Sequence, residues 1–264
     1  MAEPVDPALR EDVLTAARRF LGSWPRSAPS ALAGPLLEYT DLYDGLAGFS
    51  ADLAGETHTQ HISVGYLENG IAYCDCEVVL VDDHLLRGRR TAERSVMRVS
   101  GPLVLENRDG EWKVVDYVVN GRRRLRTLRF YGPDFAVPTH PLSVEPIALE
   151  LASLRTMLLV DVTNLGSAEF SIDAATTHGR AQLGPWFRRP EFASYGGETR
   201  FPAGTTRRLV AIWATTRPLL TRSLPVTLRF AETGTGRLLR AELELPFREL
   251  PEPTVPAYAD LPSG

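Results

Sequence analysis

The stretch Leu103–Val119, read LVLENRDGEWKVVDYVV, decides the fold. Two runs of apolar and β-branched residues lie on either side of Asp109-Gly110, a dipeptide typical of two-residue hairpin turns. Because side chains alternate between the two faces of a strand, the second run predicts one face made of Trp112, Val114, Asp116 and Val118. The pattern therefore predicts an antiparallel hairpin that carries a carboxylate on an apolar face.

Two more strand-like runs precede this hairpin, at His58–Leu67 and Ile71–Val81, and Asn69-Gly70 between them is a second tight-turn signal. Alternation in the first run predicts a face made of His58, Gln60, Ile62, Val64 and Tyr66. The first arm of the hairpin begins near Thr91, and we expect it to bend at Gly101-Pro102. Together these runs predict a four-stranded antiparallel meander.

Helical periodicity comes before the strands. Asp6 is a predicted N-cap, Pro7 suits the first helical position, and apolar residues then recur at helical spacing up to Trp24. A second helical stretch is predicted from Ser30 to Leu53. Helices followed by an antiparallel sheet predict an α+β domain over residues 1–130.

The rest of the chain has a different pattern. Residues 131–141, rich in Pro and Gly, are a predicted linker. Residues 142–248 hold six strand-like runs and a stretch from Gln182 to Phe201 that we expect to be irregular. Short strands without helices predict an all-β sandwich. Residues 249–264 form a Pro-rich tail that we expect to be extended or disordered.

Composition excludes several classes of protein. The net charge of −4 over 264 residues does not indicate a nucleic-acid partner. Of the 29 basic residues, all but Lys113 are arginine, a bias typical of GC-rich genomes such as actinobacterial ones. No signal peptide and no apolar run of roughly 18–20 residues is found, so we expect a cytoplasmic protein without a membrane span.

Metal and cofactor sites are not predicted. Cys74 and Cys76 share one strand face with apolar neighbours, so they are interpreted as packed free thiols. The histidines show no metal-ligand spacing, and no Gly-rich phosphate loop occurs. Two arginine clusters, at 87–90 and 122–129, could bind an anionic ligand or pair with acidic groups.

Helices followed by a curved sheet that ends in Gly110–Tyr117, read GEWKVVDY, resemble the nuclear transport factor 2-like superfamily. The resemblance covers about residues 7–120 and implies a cone, in which a bent antiparallel sheet wraps around the helices. Residues 142–248 resemble a bacterial immunoglobulin-like sandwich. The superfamily includes isomerases, dehydratases and cyclases as well as proteins that only bind or dimerise, so the resemblance does not decide the function.

Four side chains are candidates for chemistry inside such a cone. Asp116 on an apolar face would have a raised pKa and could act as a general base, or it could be a solvated or Arg-paired strand-end residue. His58 could move a proton, and Tyr39 and Tyr43, one helical turn apart, could donate to an oxyanion. The alternative is that all three are core side chains with satisfied polar tips.

The sequence therefore supports two hypotheses. The first is a non-enzymatic binding or assembly protein whose cone dimerises or docks a protein partner. The second is a small-molecule isomerase, dehydratase or cyclase that holds a small apolar ligand in the cone and uses these four residues.

Overall fold

A computed structural model describes residues 6–23, 29–43, 56–82, 95–119, 121–151, 155–173, 178–182, 188–192, 194–214 and 223–246. The fold is α+β and rich in antiparallel sheet. Two α-helices are present in these ranges, α1 (Pro7–Ser23) and α2 (Pro35–Tyr43). Every pairing between named strands in these ranges is antiparallel.

The chain divides into two compact units, and in the described residues the boundary lies between Arg126 and Thr127. The first unit holds α1, α2 and the strands of the first sheet: β1 (Glu56–Glu68), β2 (Ile71–Asp82), β3 (Ser95–Arg108), β4 (Glu111–Asp116), β5 (Val118–Val119) and β6 (Arg122–Arg123). The order is β1-β2-β3-β5-β6, with β4 also paired to β3.

The second unit holds two sheets. Their strands are β7 (Leu128–Phe130), β8 (Val137–Thr139), β9 (Leu142–Leu151), β10 (Arg155–Asn164), β11 (Phe170–Ile172), β12 (His178–Gln182), β13 (Arg188–Phe192), β14 (Ser194–Gly197), β15 (Arg200–Phe201), β16 (Thr206–Ala214), β17 (Ser223–Glu232) and β18 (Leu238–Pro246). The second sheet runs β14-β16-β10-β9-β7, with β8 on β9, and the third runs β13-β12-β17-β11-β15, with β18 on β17.

The N-terminal helix follows its sequence signals. The Asp6 carboxylate accepts a hydrogen bond from the Ala8 N–H at 2.9 Å, which confirms the predicted N-cap. Val13, Ala17 and Phe20 of α1 are fully buried. The second predicted helix begins later than expected, at Pro35: a 3-10 turn at Pro29–Ala31 comes first, and Gly34 has a φ of 61°. That left-handed residue separates the turn from α2, and residues 44–55 lie outside the described ranges.

Both predicted tight turns are confirmed. Asn69 and Gly70 have φ values of 53° and 74°, and Asp109 and Gly110 have 53° and 87°. Positive φ at both central residues is the requirement of a type I′ hairpin turn. The Asn107 side chain also accepts the Gly110 N–H at 3.0 Å, which fixes the second turn.

One face of the first sheet, here named the apolar face, is closed to solvent. It is formed by Ala72, Cys74, Cys76, Val78, Val99, Leu103, Leu105, Trp112 and Val114, which are all buried. Helix α1 lies against β1 to β4, and its Phe20 ring is 5.0 Å from the Tyr117 ring. Because the buried side of α1 and this face of the sheet are both apolar, we infer that α1 packs on this face.

Strand β1 does not alternate as predicted. Ile62 and Val64 are opposite Cys76 and Cys74, but Tyr66 is opposite Tyr73, which belongs to the other face. A register shift between Val64 and Tyr66 inserts one residue, so alternation reverses there. A second shift, between Thr59 and His61, pairs His58 with Val79, out of step with the pairing of Ile62 with Cys76. The prediction of one continuous face from His58 to Tyr66 is therefore wrong at both ends.

The second unit contains the predicted long strands and several that alternation does not reveal. One hydrophobic cluster includes Leu158 and Val160 of the second sheet and Phe230 and Leu243 of the third sheet. The stretch from Gln182 to Phe201, predicted as irregular, contains β13, β14 and β15. These strands are short and rich in Arg and Gly, and they form by pairing with β12, β16 and β11.

The predicted linker, 131–141, carries a 3-10 turn at Pro133–Phe135 and then β8, which pairs with β9. It also contacts β18: the Tyr131 hydroxyl donates to the Pro246 carbonyl at 3.2 Å, and the Thr139 hydroxyl donates to the Arg240 carbonyl at 3.4 Å. These side chains bind carbonyl groups of β18. The tail at 249–264 lies outside the described residues.

Asn164, at the end of β10, is fully buried and joins several loops of the second unit. Its Nδ2 donates to the carbonyls of Ala168 and Phe201 at 2.7 and 2.8 Å, and its Oδ1 accepts the Gly166 N–H at 2.9 Å. Its own backbone accepts the Gly204 N–H at 2.9 Å. We call this arrangement the Asn164 knot.

In the part of the chain that the structure describes, neither α-helix has the length and apolar character needed to cross a membrane.

Candidate functional site

Asp116 lies on the face of the first sheet opposite to the apolar face. The register of β3 and β4 pairs Leu105 with Val114 and then Val104 with Asp116, so Val115 is an extra residue at this point. Residues that pair directly share a face. Asp116 pairs with Val104 of β3, and Val104 pairs with Tyr73 of β2, so these three residues lie on the same face. The prediction that Trp112, Val114 and Asp116 share one face is therefore wrong, because a bulge reverses the alternation.

The Asp116 carboxylate holds the chain that follows it. Only 1% of the residue is exposed. Its Oδ1 accepts the Tyr117 N–H at 2.9 Å and the Leu125 N–H at 3.1 Å. The Arg124 N–H meanwhile donates to the Tyr117 carbonyl at 2.7 Å. Asp116 thus ties the end of β4 to the residues that lead out of the first unit.

One cation is close to this carboxylate. The Arg123 Nη1 atom is 3.9 Å from Asp116 Oδ2, and the Arg123 side chain is only a quarter exposed. Burial raises the pKa of Asp116, while hydrogen bonds from the Leu125 and Tyr117 backbone, the charge of Arg123 and the Arg124 backbone act to lower it. Desolvation is the largest of these effects, so the carboxyl group is a stronger base than an exposed aspartate.

Two tyrosines complete the surroundings. The Arg124 guanidinium lies 5.4 Å from the centre of the Tyr39 ring, a cation–π contact with α2. Tyr73 is 2% exposed, and this burial raises its pKa. The charge of Arg123 acts in the opposite direction and is the smaller effect. Together these five residues, Tyr39, Tyr73, Asp116, Arg123 and Arg124, form what we call the Asp116 cluster.

The structure places the four predicted candidates unequally. Asp116 and Tyr39 both belong to the Asp116 cluster, through Arg123 and Arg124. Tyr43 is the last residue of α2, and its side chain lies outside the described part of the structure. His58 is the register partner of Val79 in β1, and its side chain also lies outside that part. The structure thus relates two of the four candidates.

The two thiols are inert. Cys74 and Cys76 are buried and free, and burial raises the pKa of each thiol to about 12. A neutral thiol is a weak nucleophile and a weak metal ligand. Among the described residues, no group of three or more His, Cys, Asp or Glu is placed to hold a metal ion.

Sequence reasoning missed three members of the Asp116 cluster. Tyr73, Arg123 and Arg124 are brought to Asp116 by register and by a return of the chain, and strand alternation reports neither. One available signal was Gly121 between two short apolar and basic runs, since its φ of 76° allows β6 to turn back on β5. A hairpin there brings Arg123 and Leu125 to the end of β4.

Comparisons of this chain with protein-family models, with curated proteins and with solved structures each find no match.

Proposed function

We propose that the protein is a non-enzymatic binding or assembly module. In this proposal the first unit is a nuclear transport factor 2-like cone that forms a dimer or docks a protein partner. The second unit is an immunoglobulin-like sandwich that adds another interaction surface. The side chains of the first sheet support this role.

The observation that carries the proposal is the composition of the apolar face. Its described ionisable groups are the thiols of Cys74 and Cys76, whose pKa values of about 12 keep them neutral, and the phenol of Tyr117, whose ring packs against Phe20 of α1. General acid–base catalysis needs a group that exchanges a proton near the working pH. A face whose described residues include no carboxylate and no imidazole suits packing rather than proton transfer.

Asp116 supports the same conclusion. It is on the opposite face, and its carboxylate accepts the backbone N–H groups of Tyr117 and Leu125. Those contacts give it a structural role that does not require a substrate. Arg123 beside it agrees with the interpretation of Asp116 as an Arg-paired residue at a strand end.

The two architectural parts of the proposal have separate support. Bulges bend strands, and register shifts occur in both β1 and β4 of the sheet on which α1 packs, which favours a curved sheet around a helix. In the second unit, one apolar cluster takes side chains from both sheets, and this is the arrangement expected for a sandwich.

The test is the oligomeric state of the full chain, together with capture of partners from the native host. Light scattering during size-exclusion chromatography is expected to give a mass that rises from 29.1 kDa toward twice that value with concentration. For partner docking alone, the expected result is one stoichiometric protein that rebinds when purified. A mass of 29.1 kDa at every concentration, with no protein that rebinds, would overturn the proposal.

One observation favours the second candidate, an isomerase, dehydratase or cyclase. The raised pKa of the buried Asp116 carboxyl suits a general base, and Tyr39, whose ring lies under Arg124, is the candidate hydroxyl donor. Proton exchange into small enolisable ketones in D₂O, followed by NMR, tests this candidate. Catalysed exchange that falls at least about 100-fold in Asp116→Asn would establish it. Equal exchange in both proteins would remove it.

A further inference from the structure

The chain from Tyr117 to Leu125, described except for Asn120 and here named the strap, is attached to the first sheet at both ends. Its first residue and its last residue both donate backbone N–H groups to the same oxygen of Asp116. The pairing of β5 with β6 closes the strap in between. The strap ends one residue before Arg126, the last described residue of the first unit, so it leads from that unit to the chain that follows.

Among the residues that the structure describes, few charged groups surround Asp116. From β6, Arg123 approaches Oδ2 at 3.9 Å, which is beyond hydrogen-bonding distance. The backbone N–H of Arg124 acts on the Asp116 carboxyl group and lowers its pKa, while the Arg124 guanidinium lies over Tyr39 of α2. From β2, the Tyr73 phenol is close enough to respond to the charge of Arg123. On β3 the register partner of Asp116 is Val104, which is apolar.

We propose that Asp116 is an acid-tightened latch on the strap: the strap is held closed when the carboxyl group is neutral and opens more often when it is ionised. A carboxyl group that is 1% exposed and, among the described residues, has one guanidinium 3.9 Å away loses hydration when the strap closes over it. Opening returns that hydration, and only the ionised form gains much from it. The neutral form still accepts both backbone N–H groups.

Linkage fixes the direction. Because burial raises the pKa of Asp116 in the closed state, the closed strap binds a proton more tightly than the open strap does. Opening therefore becomes more favourable as the pH rises through that pKa. Each unit by which the pKa is raised corresponds to about a tenfold change in the opening equilibrium. The latch does not depend on whether the protein dimerises or binds a partner.

Hydrogen exchange of the full chain, followed residue by residue by NMR, tests the latch. After correction for intrinsic exchange, the protection of the Leu125 amide is expected to fall between pH 3 and pH 8 in the wild type, by about tenfold for each unit by which burial raises the pKa of Asp116. In Asp116→Asn, whose amide oxygen still accepts both N–H groups, it should stay constant. The Gly166 amide, which is bound by the neutral Asn164 side chain, is an internal control that should not change.

A second variant protects the test against a misfolded Asp116→Asn protein. Arg123→Gln removes the cation, so Asp116 becomes harder to ionise and the loss of Leu125 protection with pH should grow larger. Constant Leu125 protection in the wild type would overturn the latch. So would an equal pH dependence in Asp116→Asn, or a smaller one in Arg123→Gln.

Discussion

Polar side chains are buried against loop backbone in both units of the molecule. Asp116 in the first unit accepts N–H groups from two residues of the strap. Asn164 in the second unit accepts one N–H group and donates to two carbonyls. Both residues lie at the end of a strand, and both are at most 1% exposed. They differ in charge and in the kinds of backbone group that they can satisfy.

The two side chains differ in the free energy that their burial requires. A carboxylate only accepts, so Asp116 is suited to N–H groups, and when it is ionised its charge is buried with a guanidinium 3.9 Å away. An amide donates and accepts, so Asn164 satisfies mixed backbone groups without burying a charge. The Asn164 knot is therefore expected to be the more stabilising of the two, and the Asp116 contact the one that responds to pH.

Removal of the knot is expected to give the largest loss of stability. Asn164→Ala leaves the carbonyls of Ala168 and Phe201 and the N–H of Gly166 without their described partner. Buried groups that lose partners cost about 1–3 kcal/mol each, with partial relief by water, so we expect a loss of about 3–4 kcal/mol. Urea-dependent hydrogen exchange of peptides from the second unit measures it.

The neighbouring residue supplies the control. Thr163 hydrogen-bonds Thr206 at 2.9 Å on the exposed side of the same strand. Thr163→Ala should cost less than about 1 kcal/mol, because water replaces the lost partner. Equal losses for Thr163→Ala and Asn164→Ala would show that the knot is not the source of the stability.

Packing around the knot gives the next effect. A Cβ at Gly166 would lie 2.8 Å from Cβ of Pro141, closer than side chains approach. Gly166→Ala is therefore expected to destabilise the second unit by about 1–3 kcal/mol through overpacking. Gly132 is the matched position, since a Cβ there meets nothing within 4 Å and its φ of −104° suits any residue. Gly132→Ala should leave the unfolding midpoint unchanged or raised.

How far the sequence predicts these two regions depends on the range of the contacts. The Asp6 cap and the turns at Asn69-Gly70 and Asp109-Gly110 are confirmed because each is set by neighbouring residues. The face of Asp116 is predicted wrongly because one extra residue in β4 reverses all later side chains, and alternation carries no sign of a bulge.

The Asn164 knot also depends on contacts that a local sequence pattern does not predict. The sequence indicates a turn after β10, yet the partners of Asn164 include Phe201, 37 residues away. Such a partner depends on how β10, β15 and β16 are arranged, which no local pattern reports. The roles of Tyr73 and Arg123 beside Asp116 were missed for the same reason, since they come from a register and a chain reversal.

Loss of the Asp116 side chain should cost less than loss of the knot. Asp116→Ala removes the acceptor of the Tyr117 and Leu125 N–H groups but also removes a buried charge. We expect the first unit to lose about 1–2 kcal/mol, measured by hydrogen exchange in urea at pH 7. Glu111→Ala, at an exposed carboxylate paired with Lys113, is the control and should change little. A loss above that of Asn164→Ala would reverse the comparison.

The smallest effect is the most diagnostic, because it isolates the charge. The pKa of Asp116 in the folded protein is raised above its ordinary value of 3.8, with burial as the main cause. Between those two values the folded protein holds a proton that the unfolded chain has released, so stability falls as the pH rises through that window and stays level above it.

Asp116→Asn keeps the acceptor and cannot ionise, so its stability should lack this fall. The measurement is the difference in unfolding free energy between the wild type and Asp116→Asn from pH 3 to pH 8, in which the other carboxylates cancel. We expect the variant to gain on the wild type as the pH rises, by about 1.4 kcal/mol for each unit of raised pKa. If the wild type gains instead, Arg123 and the backbone donors outweigh desolvation. The fold then stabilises the ionised form of Asp116 rather than the neutral form.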